Sequence, residues 1–441
     1  MAQEASIPVP PVAAEAGGSI PEAGRFDSTF RAFRNRNYRL YYLGQSISLS
    51  GTWMQSVAQA WLVLQITNSK VALGTVTMLQ FLPITLFVLF AGVIADRVPK
   101  RRFIFFTQGL AMGQAIVLTA LVWSGHVQLW HIYILATVLG LANALEQPAR
   151  QAFVVEMVGK EDLMNAVALN AGMFNAARMV GPAIGGFVIA GFGVKGAFLL
   201  NSVSFVPVII ALAMMNPAEF SNQGERQRGN PLTELREGLS YAFRTPAVLL
   251  IIIVLIFVGT FGYNFTVMLP LVDRYVLHHG AIALGFLTGA LGLGAGVSAL
   301  VVAGRRRATK RMMLAGGFCF SALIAAVALS HLLALTLLLL LLTGIASTAF
   351  IATTNTSMQL TAPDHLRGRV MALYMLLFAG STPIGAIFTG VVAQHLGVPT
   401  AVGICGGLSF LGVAIGTVYY LRHRSQIPEV AGDPLPSAAM A

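Results

Sequence analysis

Residues 163–190 read LMNAVALNAGMFNAARMVGPAIGGFVIA, a long apolar run with one arginine, Arg178, in its middle. At 1.5 Å per residue, Arg178 stands roughly 20 Å along such a helix, near the centre of a bilayer. A lone cation at that depth costs about 2.5–3.5 kcal/mol on insertion scales. A chain that keeps it there either gives it a polar or aqueous interior to face, or satisfies it with carbonyls and amides such as Asn175. Gly181, Pro182, Gly185 and Gly186 follow closely, a set suited to close packing, kinking and pivoting of one helix on another. The run predicts a membrane-spanning helix beside a polar interior, with Arg178 facing it.

Composition extends this reading to the whole chain. Of 441 residues, 56 % are hydrophobic and 10 % charged, where a soluble globule carries about 25 % charge. Mean hydropathy is +0.74. Twelve stretches read as spans: 39–64, 71–95, 103–124, 129–149, 164–191, 195–215, 247–270, 281–303, 312–331, 333–355, 369–395 and 398–421. The expected fold class is an all-α polytopic membrane protein, with twelve transmembrane helices in two pseudo-symmetric six-helix bundles.

The net charge of +11 invites a nucleic-acid reading, and its placement argues against one. Lys and Arg collect in the amino-terminal segment, in alternate loops and after the last span. The exceptions are Lys70, Lys195 and Arg274 in the opposite loops, and Arg178. This asymmetry is the positive-inside pattern, and it predicts both termini in the cytoplasm.

The expected domains are a cytoplasmic tail, 1–38, ending in a short amphipathic helix; a six-helix bundle, 39–215; a cytoplasmic linker, 216–246; a second bundle, 247–421; and a tail, 422–441. In FDSTFRAFRNRNYR, Phe26, Phe30 and Phe33 share a helical face with arginines around the other, as a helix lying on the membrane surface would. The linker is the one long polar stretch in the interior of the sequence. Glu161-Asp162-Leu163 is echoed by Asp364-His365-Leu366, each copy entering a Gly/Pro-bearing helix. Repeated halves suit transporters that rock about a midplane site.

Polar residues mark candidate cavity walls. Gln45, Ser48, Thr52, Gln55 and Gln59 share one face of the first span, and Thr336, Thr343, Ser347, Thr354 and Ser357 one face of the tenth. Such stripes serve either a wet cavity or helix–helix hydrogen bonds. The cavity candidates are Gln45, Thr52, Gln55, Gln59, Asn143, Asn175, Asn264, Thr343 and Ser347. Acids are scarce in the spans. Glu146 and Arg150 share a face if Pro148 leaves the helix intact, as a local ion pair or as a proton carrier with its gate partner. Asp273 and Arg274 close the seventh span, as a gate contact or as an exposed loop pair. Glu146, Arg150, Arg178 and Asp273 are thus the coupling and gating candidates.

The loop after the second span carries Gly92, Asp96, Arg97, Pro99, Lys100, Arg101 and Arg102. It resembles the inner-loop signature of the major facilitator superfamily, G-x-x-x-D-R-x-G-R-[KR]-[KR], with Pro99 where that family prefers Gly. Gly181-Pro182-Ala-Ile-Gly185-Gly186 is similar to the family's fifth-span antiporter motif, with Ala177 at its usual leading Gly. Stretches 51–69, 79–97, 142–158 and 165–182 resemble the enterobactin-exporter-like branch, which exports siderophores, macrolides and other amphipathic compounds. The second half carries little of the signature, since Gly304-Arg305-Arg306-Arg307 lacks an acid matching Asp96. The resemblance implies export driven by an ion gradient across a bacterial cytoplasmic (inner) membrane. The span-four Arg of the family's proton antiporters is Ala136 here, a departure from their pattern. The expected function is a secondary transporter, proton-coupled and working by alternating access.

An enzyme is the competing class. No HExxH, GxSxG or Walker motif and no second mid-membrane acid are present, so no catalytic residue, metal or cofactor is expected. A lipid or lysolipid carrier or an importer on the same fold stays open. The expected partners are a small-molecule substrate, a coupling proton and the lipid bilayer, with the protein monomeric.

Overall fold

The computed structural model describes residues 30–159, 161–221, 231–303 and 309–430, without the side chains of 88–97, 231–236, 302–303 and 364–365. The motif side chains of Gly92, Asp96 and Arg97, the ends of both tails, and Arg305 to Arg307 lie outside the described residues.

Among the described residues, ten helices are long and apolar enough to cross a membrane. In chain order the helices are α1 (Arg36–Thr67), α2 (Lys70–Arg97), α3 (Lys100–Trp123), α4 (Leu129–Val158), α5 (Leu163–Met214), α6 (Pro231–Arg244), α7 (Pro246–Phe257), α8 (Phe265–Val272), α9 (Ala281–Ala303), α10 (Lys310–Ala328), α11 (Leu333–Thr361), α12 (Asp364–Phe378), α13 (Thr382–Leu396) and α14 (Val398–Arg422).

The 52 residues of α5 would run roughly 80 Å if straight, far beyond one hydrocarbon core. Gly193 breaks it, at φ 69° and ψ −179°, a conformation that glycine adopts without a Cβ penalty. Packing against α1 shows that the chain reverses there. Gly181 and Gly185 lie on Ser50 and Met54, in parallel order, whereas Val208 and Ser204 lie on Gly44 and Gly51, in antiparallel order. The two arms of α5 are therefore a hairpin that clasps α1. Counting both arms, and α1 itself, makes the architecture compatible with twelve crossings.

Residues 25–29 of the expected surface helix lie outside the described residues. The described part of 25–38 forms a 3-10 turn, Arg31–Arg34, and α1 begins at Arg36. Asn35 separates the two because its extended backbone lets its side chain accept from the Tyr38 N–H at 3.0 Å, capping α1. Phe33 then folds onto Tyr38 and Tyr42, at ring separations of 5.8 and 4.8 Å. The linker also holds more structure than its polarity suggested. Its helix α6 docks on α12, where Glu237 pairs with Arg369.

Helices α1–α5 form one bundle and α7–α14 the other. They meet along two antiparallel seams of small residues. Between α5 and α9, a Cβ on Gly285 would lie 2.8 Å from the Pro182 carbonyl and 3.1 Å from the Gly186 Cα. Between α2 and α13, a Cβ on Gly74 would lie 2.6 Å from the Ala386 carbonyl and 3.3 Å from the Gly390 Cα. Backbones approach this closely only where side chains are absent. Both seams lie toward the end of the molecule away from the basic loops, here the distal end. Toward the basic end, a Cβ on Gly172 of α5 or Gly296 of α9 would meet nothing within 4 Å. The bundles are zipped distally and separate toward the basic end.

Candidate substrate cavity and gates

Pro182 cannot donate to the Arg178 carbonyl one turn earlier. That freed carbonyl faces Gly292 of α9, whose Cβ would come within 3.1 Å of it. Arg178 therefore sits at the bundle seam, just where the zipper ends. Its guanidinium lies over the Trp53 ring at 5.8 Å, and Trp53 meets Phe174 edge-on at 5.8 Å. No ion pair or hydrogen bond engages the guanidinium among the described residues. Tyr263, in the break between α7 and α8, lies within its electrostatic reach from the other bundle. Tyr263 stacks on Phe320 at 4.8 Å and meets Phe378 edge-on at 4.9 Å, and its hydroxyl donates to the Ser347 carbonyl at 2.8 Å. An unpaired cation thus lies over an aromatic surface of the first bundle, at its seam with the second. This arrangement can hold an anion that carries apolar or aromatic groups.

Most of the polar stripe of α1 lies elsewhere. Gln45, Gln55 and Gln59 are only 2, 2 and 4 % exposed. Gln55 donates to Gln114 at 3.3 Å and accepts from Asn201, Gln59 donates to Gln80 at 3.3 Å, and Ser48 donates to Gln108 at 3.4 Å. The periodicity matches amide partners on α2, α3 and α5 inside one bundle, and these glutamines are buried among them. Thr343 and Ser347 of α11 are likewise buried, returning their hydroxyl protons to the Leu339 and Gly344 carbonyls. Asn264 is buried and donates to the Thr260 carbonyl. Thr52, Asn143 and Asn175 keep partial exposure, with Asn175 donating back to the Ala171 carbonyl at 2.9 Å.

Helix α4 runs unbroken through Pro148, so Glu146 and Arg150 do share a face, at 3.8 Å. Glu146 is 5 % exposed. It accepts from Gln108 at 2.8 and 2.9 Å and from Thr107 at 3.1 Å. Those bonds join it to the glutamine layers on α1, away from Arg178. At the basic end, Lys100 pairs with Glu156 at 3.2 Å, and Arg101 donates to the Leu212 and Ala213 carbonyls, tying α3 to the end of α5. Arg102 is exposed. The fifth-span motif packs on two sides: Gly181 and Gly185 against α1, Pro182 and Gly186 against α9.

The distal end is closed by contacts that no motif announced. The Tyr275 hydroxyl donates to the Asn68 side chain at 2.8 Å, and Lys70 lies over the Tyr275 ring at 4.7 Å. Arg274 lies over Trp61 at 5.7 Å, and the Lys70 N–H donates to Gln394 at 3.0 Å. Asp273 begins a π turn, Asp273–Leu277, and is buried rather than a loop residue. The sequence offers Asp273 and Arg274 at this gate, and the residue it leaves out is Tyr275, in the same run 273–279, DRYVLHH, opposite Lys70.

The family model described as "Transmembrane secretion effector" matches residues 27–441. The chain is 24 % identical to the staphyloferrin A transporter of Staphylococcus aureus, over 87 % of this chain and 96 % of the relative. It is 28 % identical to the multidrug efflux pump Tap of Mycolicibacterium fortuitum, over 79 % and 87 %. It is 26 % identical to the enterobactin exporter EntS of Escherichia coli, over 89 % and 94 %. Among solved structures, the POT family transporter PepTSo superposes with a TM-score of 0.71 at 12 % identity, over 89 % of this chain and 99 % of that one, which speaks for the fold. The chain is a multi-pass membrane transporter, not an enzyme, and belongs to the transmembrane secretion effector family of the major facilitator superfamily.

Proposed function

We propose that the protein exports an amphipathic, anionic small molecule across the bacterial inner membrane by alternating access, driven by the proton gradient. The observation that carries this reading is the unpaired Arg178 guanidinium over Trp53, where the two bundles part. Relatives named as a staphyloferrin A transporter, a multidrug efflux pump and an enterobactin exporter support the substrate class. The bundles zipped at the distal end describe the state that loads cargo from the basic end, which the positive-inside pattern assigns to the cytoplasm. Glycines 186 and 285, with 74 and 390, serve as the contacts about which the bundles rock.

Glu146 with Arg150 fits a fixed element of the first bundle better than a moving charge, because three neighbouring donors, Gln108, Thr107 and Arg150, already engage it. The test is uptake by inside-out vesicles of a radiolabelled carboxylate or catecholate siderophore, with and without an imposed pH gradient. Gradient-dependent uptake by the native chain, lost in Arg178→Ala while membrane insertion persists, is the expected result. Uptake by Arg178→Ala at the native rate overturns the cation's role, and no uptake of any amphipathic anion overturns the export reading.

A further inference from the structure

Asp273 is the one fully buried carboxylate among the described residues whose two oxygens both lack a hydrogen-bond partner. It is 0 % exposed. The residue stands where α8 passes into the π turn that ends the seventh span, an irregular backbone of a kind often found at functional positions. Two residues on, Tyr275 latches onto Asn68 of the other bundle. The groups around Asp273 do not neutralise it. Arg274 and Lys70 are committed to the faces of Trp61 and Tyr275. His278 faces it from its own turn, but its ring is bonded to the Arg274 carbonyl, at 2.9 Å. The Gly280 backbone N–H is the one backbone donor that reaches toward it, short of full hydrogen-bond geometry. The start of α14, which packs on this turn, offers Val398, Ala401 and Val402 and no titratable side chain. His279 and His395 lie further out on the same end, both exposed.

An ionised carboxylate sealed in such a place, with neither oxygen in full hydrogen-bond geometry and no cation paired to it, is far more costly than the neutral acid. Closing the distal gate and holding a proton on Asp273 are therefore linked. We propose that Asp273 is the proton-binding group of the distal gate: it ionises when the gate opens and water reaches it, and takes a proton from the distal solution when the gate closes. This deepens the export reading by naming where the proton acts, and it moves that role from Glu146 to Asp273. The step forms an O–H bond on one Asp273 Oδ and consumes one proton. Nothing else changes hands.

The sign follows directly. Low pH on the distal side favours the closed gate. As pH rises past the ionisation of the water-exposed acid, the closed-to-open ratio falls, at most roughly tenfold per pH unit for one proton. The experiment places spin labels at His126 and His331, two exposed distal loop positions on opposite bundles, in a chain with Cys319 and Cys405 replaced. Distance distributions are then read by double electron–electron resonance in nanodiscs from about pH 5 to about pH 9. The native sequence is expected to shift from a short to a long distance as pH rises. Asp273→Asn, a neutral mimic of the acid form, is expected to stay short throughout, and Asp273→Glu to restore the shift. An Asp273→Asn chain that opens with the native pH dependence overturns the proposal, and so does a native chain whose two populations ignore pH. The export reading is judged separately by the vesicle uptake above, which does not require the gate to respond to pH.

Discussion

At the residue scale, Arg178 was legible because a guanidinium in the middle of LMNAVALNAGMFNAARMVGPAIGGFVIA demands an explanation. What surrounds it was not. Trp53 lies on α1, and Tyr263 sits where α7 unwinds on the other bundle, so no periodicity links them to position 178. The same limit applies to the α1 glutamines, whose stripe fits a wet cavity and helix–helix hydrogen bonds alike. A stripe of amides gives the face, but its partners Gln80, Gln108, Gln114 and Asn201 are long-range. Two predictions belong here. A charge-assisted contact is worth about 1.5–3 kcal/mol, so Arg178→Ala should weaken binding of an anionic cargo roughly 10- to 100-fold by isothermal calorimetry in nanodiscs, and Arg178→Lys should weaken it less. Glu146→Ala should leave Gln108, Thr107 and Arg150 without their acceptor and destabilise the bundle by about 3–5 kcal/mol, a marked drop in thermal midpoint. Glu146→Gln should keep most of the stability and keep gradient-driven uptake. Loss of uptake by a well-folded Glu146→Gln chain would return the proton to that residue.

At the element scale, the spans themselves were readable from apolar length, and the discontinuities were not. The expected seventh span, 247–270, continues to Leu277 through two π turns, and the expected eleventh, 369–395, is α12 and α13 with a break at residues 379–381. Thr85 of α2 donates to the Gly380 carbonyl at 2.9 Å, which satisfies an acceptor that the break exposes. Composition cannot announce such a break, because its compensation comes from a different bundle. The seams carry the element-scale prediction. Gly285→Leu puts a side chain where a Cβ alone would already lie 2.8 Å from the Pro182 carbonyl. This variant should insert and fold, yet populate the distally open arrangement, read as greater labelling of a cysteine at position 68 by an impermeant maleimide. Gly296→Leu, on the same helix where nothing lies within 4 Å, should behave as the native chain does.

At the scale of the whole molecule, two bundles, a polar linker and an asymmetry of positive charge were all visible in the text of the chain. Which end is shut was not, since the closure uses single residues such as Asn68, Lys70, Tyr275 and Gln394 scattered over the sequence. If the proposed cycle holds, joining positions 68 and 275 as cysteines with a short bismaleimide should arrest uptake in inside-out vesicles. Modifying either cysteine alone with N-ethylmaleimide should not.

The two glycine contacts have a geometric consequence. A rigid body touching another at two separated points, α5 on α9 and α2 on α13, retains a single easy rotation, about the line through them. Sideways sliding and twisting would have to break one contact to keep the other. The door has two hinges, and its swing is set before any cargo arrives.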